Sequence, residues 1–138
     1  MKKVYVAFSM TNGDQNLEKI NQLIDWLKCK KYKVFQPNYS LFPELLANNA
    51  LKSIDESDIV IADVTNYSHG VGFELGYAFC KGKKIIIISH CSAKNNITKF
   101  FYGLFDKIVF YNDTANVPSL LIPYLFSESG KKESKLHI

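Results

Sequence analysis

The sequence predicts an α/β protein: a five-stranded parallel sheet with helices on both faces. Short apolar strands alternate with helical patterns along the chain. Residues 58–64 are nearly all apolar, as a central parallel strand covered on both faces must be, and residues 84–89 hold the strongest strand signal. With 138 residues and 47% hydrophobic content, the chain can fill one sizeable core.

Each element has its own warrant. Residues 3–9 read as a first strand, stopped by Thr11, Asn12, Gly13 and Asp14. Residues 16–30 place Leu17, Ile20, Leu23, Ile24 and Leu27 at helical spacing. Residues 33–36 form a short second strand ending at Pro37, and Pro43 opens a helix carrying Leu45, Leu46, Leu51 and Ile54. After the third strand, residues 70–81 form a helix that stops at Gly82. The fourth strand, residues 84–89, holds four consecutive isoleucines. A short aromatic helix (97–105), a fifth strand (107–111) and a last helix (118–127) follow, then a polar tail from 130 to 138. The second strand is short and polar enough for an edge, so the expected order is 2-1-3-4-5, the flavodoxin-like (Rossmann-like) arrangement. With no internal repeat and no linker, residues 1–129 read as one domain.

Composition excludes several classes. No apolar run approaches the ~20 residues that span a bilayer. The start, Met1-Lys2-Lys3, leads into a strand rather than a signal peptide, so a cytoplasmic protein is expected. Cys29, Cys80 and Cys91 have no paired spacing and read as two buried thiols and one near a strand end, not as disulfides. His69, His90 and His137 are scattered, so neither a metal nor another cofactor is expected. A net charge of +4 without a dense basic stripe argues against a nucleic-acid polymer as partner.

In such sheets ligands bind beyond the carboxyl ends of the strands. That rule selects Ser9 to Asn12 after the first strand, Pro37 and Asn38 after the second, Thr65 to Ser68 after the third, and His90 to Ser92 after the fourth. The third loop is chemically the richest. Gly70 and Gly72 allow close backbone approach, and the helix N-terminus offers amides to an anion. Glu74 is expected in that helix's first turn, kept ionised by about 0.3–1 kcal/mol of helix-dipole interaction. The glycines miss the dinucleotide fingerprint narrowly, at Leu75. Asp63 either caps the loop at Thr65 and Asn66 or contacts a ribose hydroxyl, with the structural role favoured.

Three stretches carry a resemblance: Asp58-Ile-Val-Ile-Ala-Asp-Val-Thr65, Ser68-His-Gly-Val-Gly-Phe-Glu-Leu-Gly-Tyr-Ala78 and Gly82-Lys-Lys-Ile-Ile. From the first strand to about Gly103 the chain resembles the nucleoside 2-deoxyribosyltransferase superfamily, most of all the branch of 2′-deoxynucleoside 5′-monophosphate N-glycosidases. The resemblance implies that Glu74 is a nucleophile attacking the anomeric carbon as the base departs, with Tyr5 beside it. A carboxylate suits the oxocarbenium character that develops when a glycosidic bond breaks. It implies that Ser68 binds a 5′-phosphate with backbone groups at Gly70 and Gly72, and that Thr98 reaches a phosphate across a dimer interface. Ser68 and Thr98 read equally well as helix caps. Of the adjacent aromatics Phe100, Phe101 and Tyr102, at least one is left for a partner subunit or ligand, so a homodimer or higher homo-oligomer is expected.

The chain also departs from that family. An acidic residue expected before the third strand is Ala50 here, with Asp55 and Asp58 nearby in sequence. Phe8-Ser9-Met10-Thr11 replaces the monophosphate branch's glycine-serine-x-arginine. The leading expectation is therefore cleavage of the N-glycosidic bond of a nucleoside or its 5′-monophosphate, by hydrolysis rather than transfer. Two alternatives stand beside it: a nucleotide-binding or signalling module without efficient chemistry, and a Toll/interleukin receptor-like NAD glycohydrolase.

Overall fold

The computed structural model describes residues 1–10, 14–105 and 107–126. In chain order these form β1 (Lys3–Ala7), α1 (Asp14–Cys29), β2 (Lys33–Phe35), α2 (Pro43–Glu56), β3 (Ile59–Asp63), α3 (His69–Cys80) and β4 (Lys84–His90). A 3-10 turn (Cys91–Asn96), α4 (Lys99–Leu104), β5 (Ile108–Tyr111), a second 3-10 turn (Thr114–Asn116) and α5 (Val117–Leu125) follow. All four strand pairings are parallel and the order is β2-β1-β3-β4-β5, as the sequence predicts. The expected boundary at residue 129 and the tail 130–138 lie outside the described residues.

The alternation of side chains along each strand divides the interior in two. Val4, Val6, Ile59, Ile61, Ile86 and Ile88 point to one face, where α1 and α5 cover them with Ile20, Leu23, Leu27, Leu121 and Leu125. Tyr5, Ala7, Val60, Ala62 and Ile87 point to the other, under α2 and α3 with Ile54, Val71, Leu75 and Ala78. The isoleucine run is thus two alternating sets, Ile86 and Ile88 on one face, Ile85 and Ile87 on the other. On the second face the paired residues Ala7 and Ala62 are small, which leaves room above the carboxyl ends of β1 and β3.

Local chemistry sets the ends of the elements. Pro43 starts α2, where its missing N–H costs nothing. Thr98 takes the cap role that was one of its two expected readings: it caps α4, its hydroxyl accepting from the Phe100 amide at 3.3 Å. At the end of α3, Gly82 adopts φ +68°, and the Lys83 amide reaches back to the Ala78 carbonyl at 3.1 Å. All three cysteines are exposed, which corrects the expectation of two buried thiols: Cys29 and Cys80 close α1 and α3 on their solvent sides, and Cys91 follows β4 directly.

Gly82→Ala should cost about 1–2 kcal/mol, because a Cβ is strained at that φ. Urea unfolding would show the loss, with site chemistry unchanged since Gly82 lies at the far end of α3.

Candidate active site

The loop after β3 delivers α3 across the carboxyl edge of the sheet. Ser68 is its N-cap, extended at φ −154° and ψ 121°, with Oγ accepting from the Val71 amide at 3.2 Å. Gly70 and Glu74 are one turn apart and share a face. Because Gly70 has no side chain, the space over the carboxylate stays open: a Cβ there would lie 3.8 Å from Glu74 Oε1 and 3.7 Å from Ser68 Oγ.

Glu74 is buried, with 6% of its surface exposed, although its helix begins at His69 and puts it in the second turn rather than the expected first. The helix dipole fades within the first turn. Burial wins, and it raises the Glu74 pKa to about 7. The Tyr5 hydroxyl, rising from β1 below, draws that value down somewhat. The contact stops short of hydrogen-bond geometry: Tyr5 Oη and Glu74 Oε2 are both buried without a partner among the described residues. Burial and then the Glu74 charge push the Tyr5 phenol well above its usual range.

Above the carboxylate opens a cavity of about 430 Å³ between α2 and α3. Leu46, Ala47, Ala50, Leu51 and Phe73 give it apolar walls, with Tyr39 and His69 among its polar lining. The loop after β2 brings in Tyr39: its hydroxyl donates to the Phe8 carbonyl at 3.0 Å, and the ring meets Phe8 edge-on. Asn38 shapes that loop by accepting from the Ser40 amide and hydroxyl. Burial, then the charge of Glu74, raises the Tyr39 pKa.

The predicted site residues divide among four places. Tyr5, Gly70 and Glu74 come together. Ser68, Gly72 and Thr98 line a neighbouring cavity of about 410 Å³ between α3 and α4. Ser9 is buried just beyond β1. Asp63 points to the α1/α5 side, where its carboxylate accepts from the Thr65 amide at 2.9 Å and the Tyr111 hydroxyl at 2.6 Å. It caps the loop and does not join Glu74. Asp55 and Asp58 are engaged elsewhere, Asp55 by Tyr77 and Lys81, Asp58 by the Lys3 amide. Ala50 therefore faces Glu74's cavity with no carboxylate from α2 beside it. Tyr39 and His69 also line this cavity and are not among the residues the sequence singles out. Applying the strand-end rule one residue past Asn38 would have found the first, and the position of His69 at the start of the glycine block the second.

Residues 4–107 match the family model for nucleoside 2-deoxyribosyltransferase. The chain belongs to this family. A relative in Thermofilum pendens, provisionally named 2′-deoxynucleoside 5′-phosphate N-hydrolase 1, is 24% identical over 111 residues, covering 74% of this chain and 78% of its own. The CMP N-glycosidase BcmB of Clostridium botulinum superposes with a TM-score of 0.73 at 27% identity, over 91% of this chain and 100% of that one. A 2-deoxyribosyltransferase from Leishmania mexicana superposes with a TM-score of 0.58 at 26% identity, over 64% and 65%. The chain is thus an enzyme of the N-glycosidase and deoxyribosyltransferase kind, acting at the bond between a sugar and a base. None of the described helices is long and apolar enough to cross a membrane, and no three described His, Cys, Asp or Glu side chains are grouped to hold a metal ion.

A carboxylate whose pKa rises on folding makes the fold proton-hungry. Its contribution is intact below about pH 4.5 and is lost as pH rises through about 7. Glu74→Gln should therefore be more stable than the parent at pH 8, by up to roughly 3 kcal/mol, and the gain should vanish near pH 4. Thermal melts of both proteins across that range would check it.

Proposed function

We propose that this enzyme hydrolyses the N-glycosidic bond of a nucleoside 5′-monophosphate, with Glu74 as nucleophile. The observation that carries the reading is the buried Glu74 carboxylate, its Oε2 without a hydrogen-bond partner among the described residues, beneath a cavity large enough for a sugar and base. Attack on the anomeric carbon would expel the base and leave a glycosyl ester, which water opens. Tyr5 would hold the carboxylate's orientation from below. The first-turn amides of α3 and the Ser68 hydroxyl would receive the phosphate, and that preference for a phosphate is why hydrolysis is chosen over transfer. The names of the Thermofilum and Clostridium relatives point to the same substrate class.

A homodimer completes the proposal. Phe100 is 77% and Tyr67 78% exposed, and both border the second cavity beside Thr98. A second copy docked there would cover them and bring Thr98 toward the partner's phosphate. Nucleotide substrates fit a cytoplasmic setting, and neither a cofactor nor a metal has a step to perform. A nucleotide-binding module without turnover is the second reading, and Ala50 in the cavity wall is what favours it.

Purified protein incubated with deoxynucleosides, ribonucleosides, their 5′-monophosphates and NAD should release free base from a monophosphate, followed by chromatography. Glu74→Ala should cut that release more than ~10³-fold. Binding without release from any substrate would leave the second reading in its place. Sedimentation at micromolar concentration should give a dimer, and a monomer would remove Thr98 from the site.

A further inference from the structure

A base leaving a nucleotide takes the electron pair of the broken bond onto a ring nitrogen. An anion formed against apolar walls is costly, so a neighbouring group must supply a proton. Resting on the glycosidase reading above, three described side chains in the cavity lining can exchange one: Tyr39, His69 and Glu74 itself. Glu74 is occupied as nucleophile. Tyr39 already donates its proton to the Phe8 carbonyl, and its burial near Glu74 makes that proton harder to release. Asp55 and Asp58 are bound outside the cavity, and the residues α2 presents to it, Pro43, Leu46, Ala47, Ala50 and Leu51, carry no proton to give.

We propose that His69 is the proton donor to the departing base. It is the first residue of α3 and is exposed, and its ring makes no hydrogen bond to another described residue. Glu74 lies five residues further along the same helix, a rise of roughly 7–8 Å. Both side chains line the same cavity, the carboxylate buried and the imidazole exposed. Imidazole is the side chain that gives and takes protons near neutral pH.

The step balances. A Glu74 oxygen forms a bond to the anomeric carbon as the carbon–nitrogen bond breaks, its electron pair passing to the base, which takes a proton from the His69 imidazolium. The neutral imidazole then removes a proton from water as the water oxygen bonds to the anomeric carbon. The ester breaks, Glu74 recovers its carboxylate, and His69 is again protonated. The sum is hydrolysis to sugar phosphate and free base.

The test compares His69→Gln and His69→Asn with the parent on two substrates. One is a nucleoside 5′-monophosphate that the parent cleaves. The other is the same sugar phosphate bearing nicotinamide or 4-nitrophenol, which leaves without a proton. In the first turnover, before water opens the ester, release of the ordinary base should fall about 10²-fold or more, while the activated leaving group should depart within roughly threefold of the parent rate. Equal losses on both substrates would overturn the proposal, since a residue that only positions substrate does not distinguish leaving groups. Parent-like release from both would overturn it as well. A parent that cleaves neither substrate defeats the glycosidase reading and this proposal together, whereas an active parent matched by its variants defeats this proposal alone. Circular dichroism of both variants separates misfolding from lost chemistry.

Discussion

The arrangement depends on one uncomfortable placement: a glutamate buried on a parallel sheet's carboxyl edge with one oxygen unpartnered. The features that hold it there are local. Tyr5 fills the space below, Gly70 leaves the space above open, and Ser68 fixes where α3 begins. Ionising Glu74 works against folding, and the fold offsets this with apolar cores on both faces of the sheet. Sites that trade stability for reactivity are expected to look like this.

The two faces of the sheet divide the work. The α1/α5 side is continuous apolar packing, ended at the carboxyl edge by a polar clamp. Asp63 on β3 takes the Tyr111 hydroxyl from β5, and Thr65 Oγ1 accepts the His90 amide from β4 at 2.9 Å. Three strand ends are thereby tied to the loop that launches α3. That loop's geometry sets the position of Ser68, and through the helix the position of Glu74. Asp63 thus acts on the site from the opposite face without entering it. On the α2/α3 side, Tyr77 bonds Asp55 at 2.8 Å and ties the far ends of the two helices, so the cavity opens only at the near ends.

The strand order was legible because parallel strands buried on both faces announce themselves as apolar runs, and because β2 is too short and polar for the interior. The glycine block located Glu74 for a similar reason: backbone access and a helix start are written locally. What sequence could not deliver was direction. Asp63 is one residue past Ala62, and that single step turns it to the other face of the sheet. Helix-dipole reasoning placed Glu74 near the helix start, but it is the sixth residue of α3, in the second turn, where burial outweighs the dipole. Tyr39 was missed because the link between its loop and Phe8 spans 31 positions and no local pattern encodes it.

An apolar cavity over a reluctant carboxylate is also an argument about catalysis. Removing water makes the negative charge of Glu74 expensive while the sugar is neutral. On the proposed reading, the same low polarity would strengthen its attraction to positive charge as an anomeric carbon became oxocarbenium-like. The cost falls on the resting state and the gain appears only as the bond breaks, which is the asymmetry that accelerates a reaction rather than merely tightening binding. Walls of Leu46, Leu51 and Phe73 would serve the base by packing and offer it few hydrogen bonds, so orientation must come from the sugar and phosphate end. The chemistry then needs few polar groups, provided that each meets the substrate where charge develops.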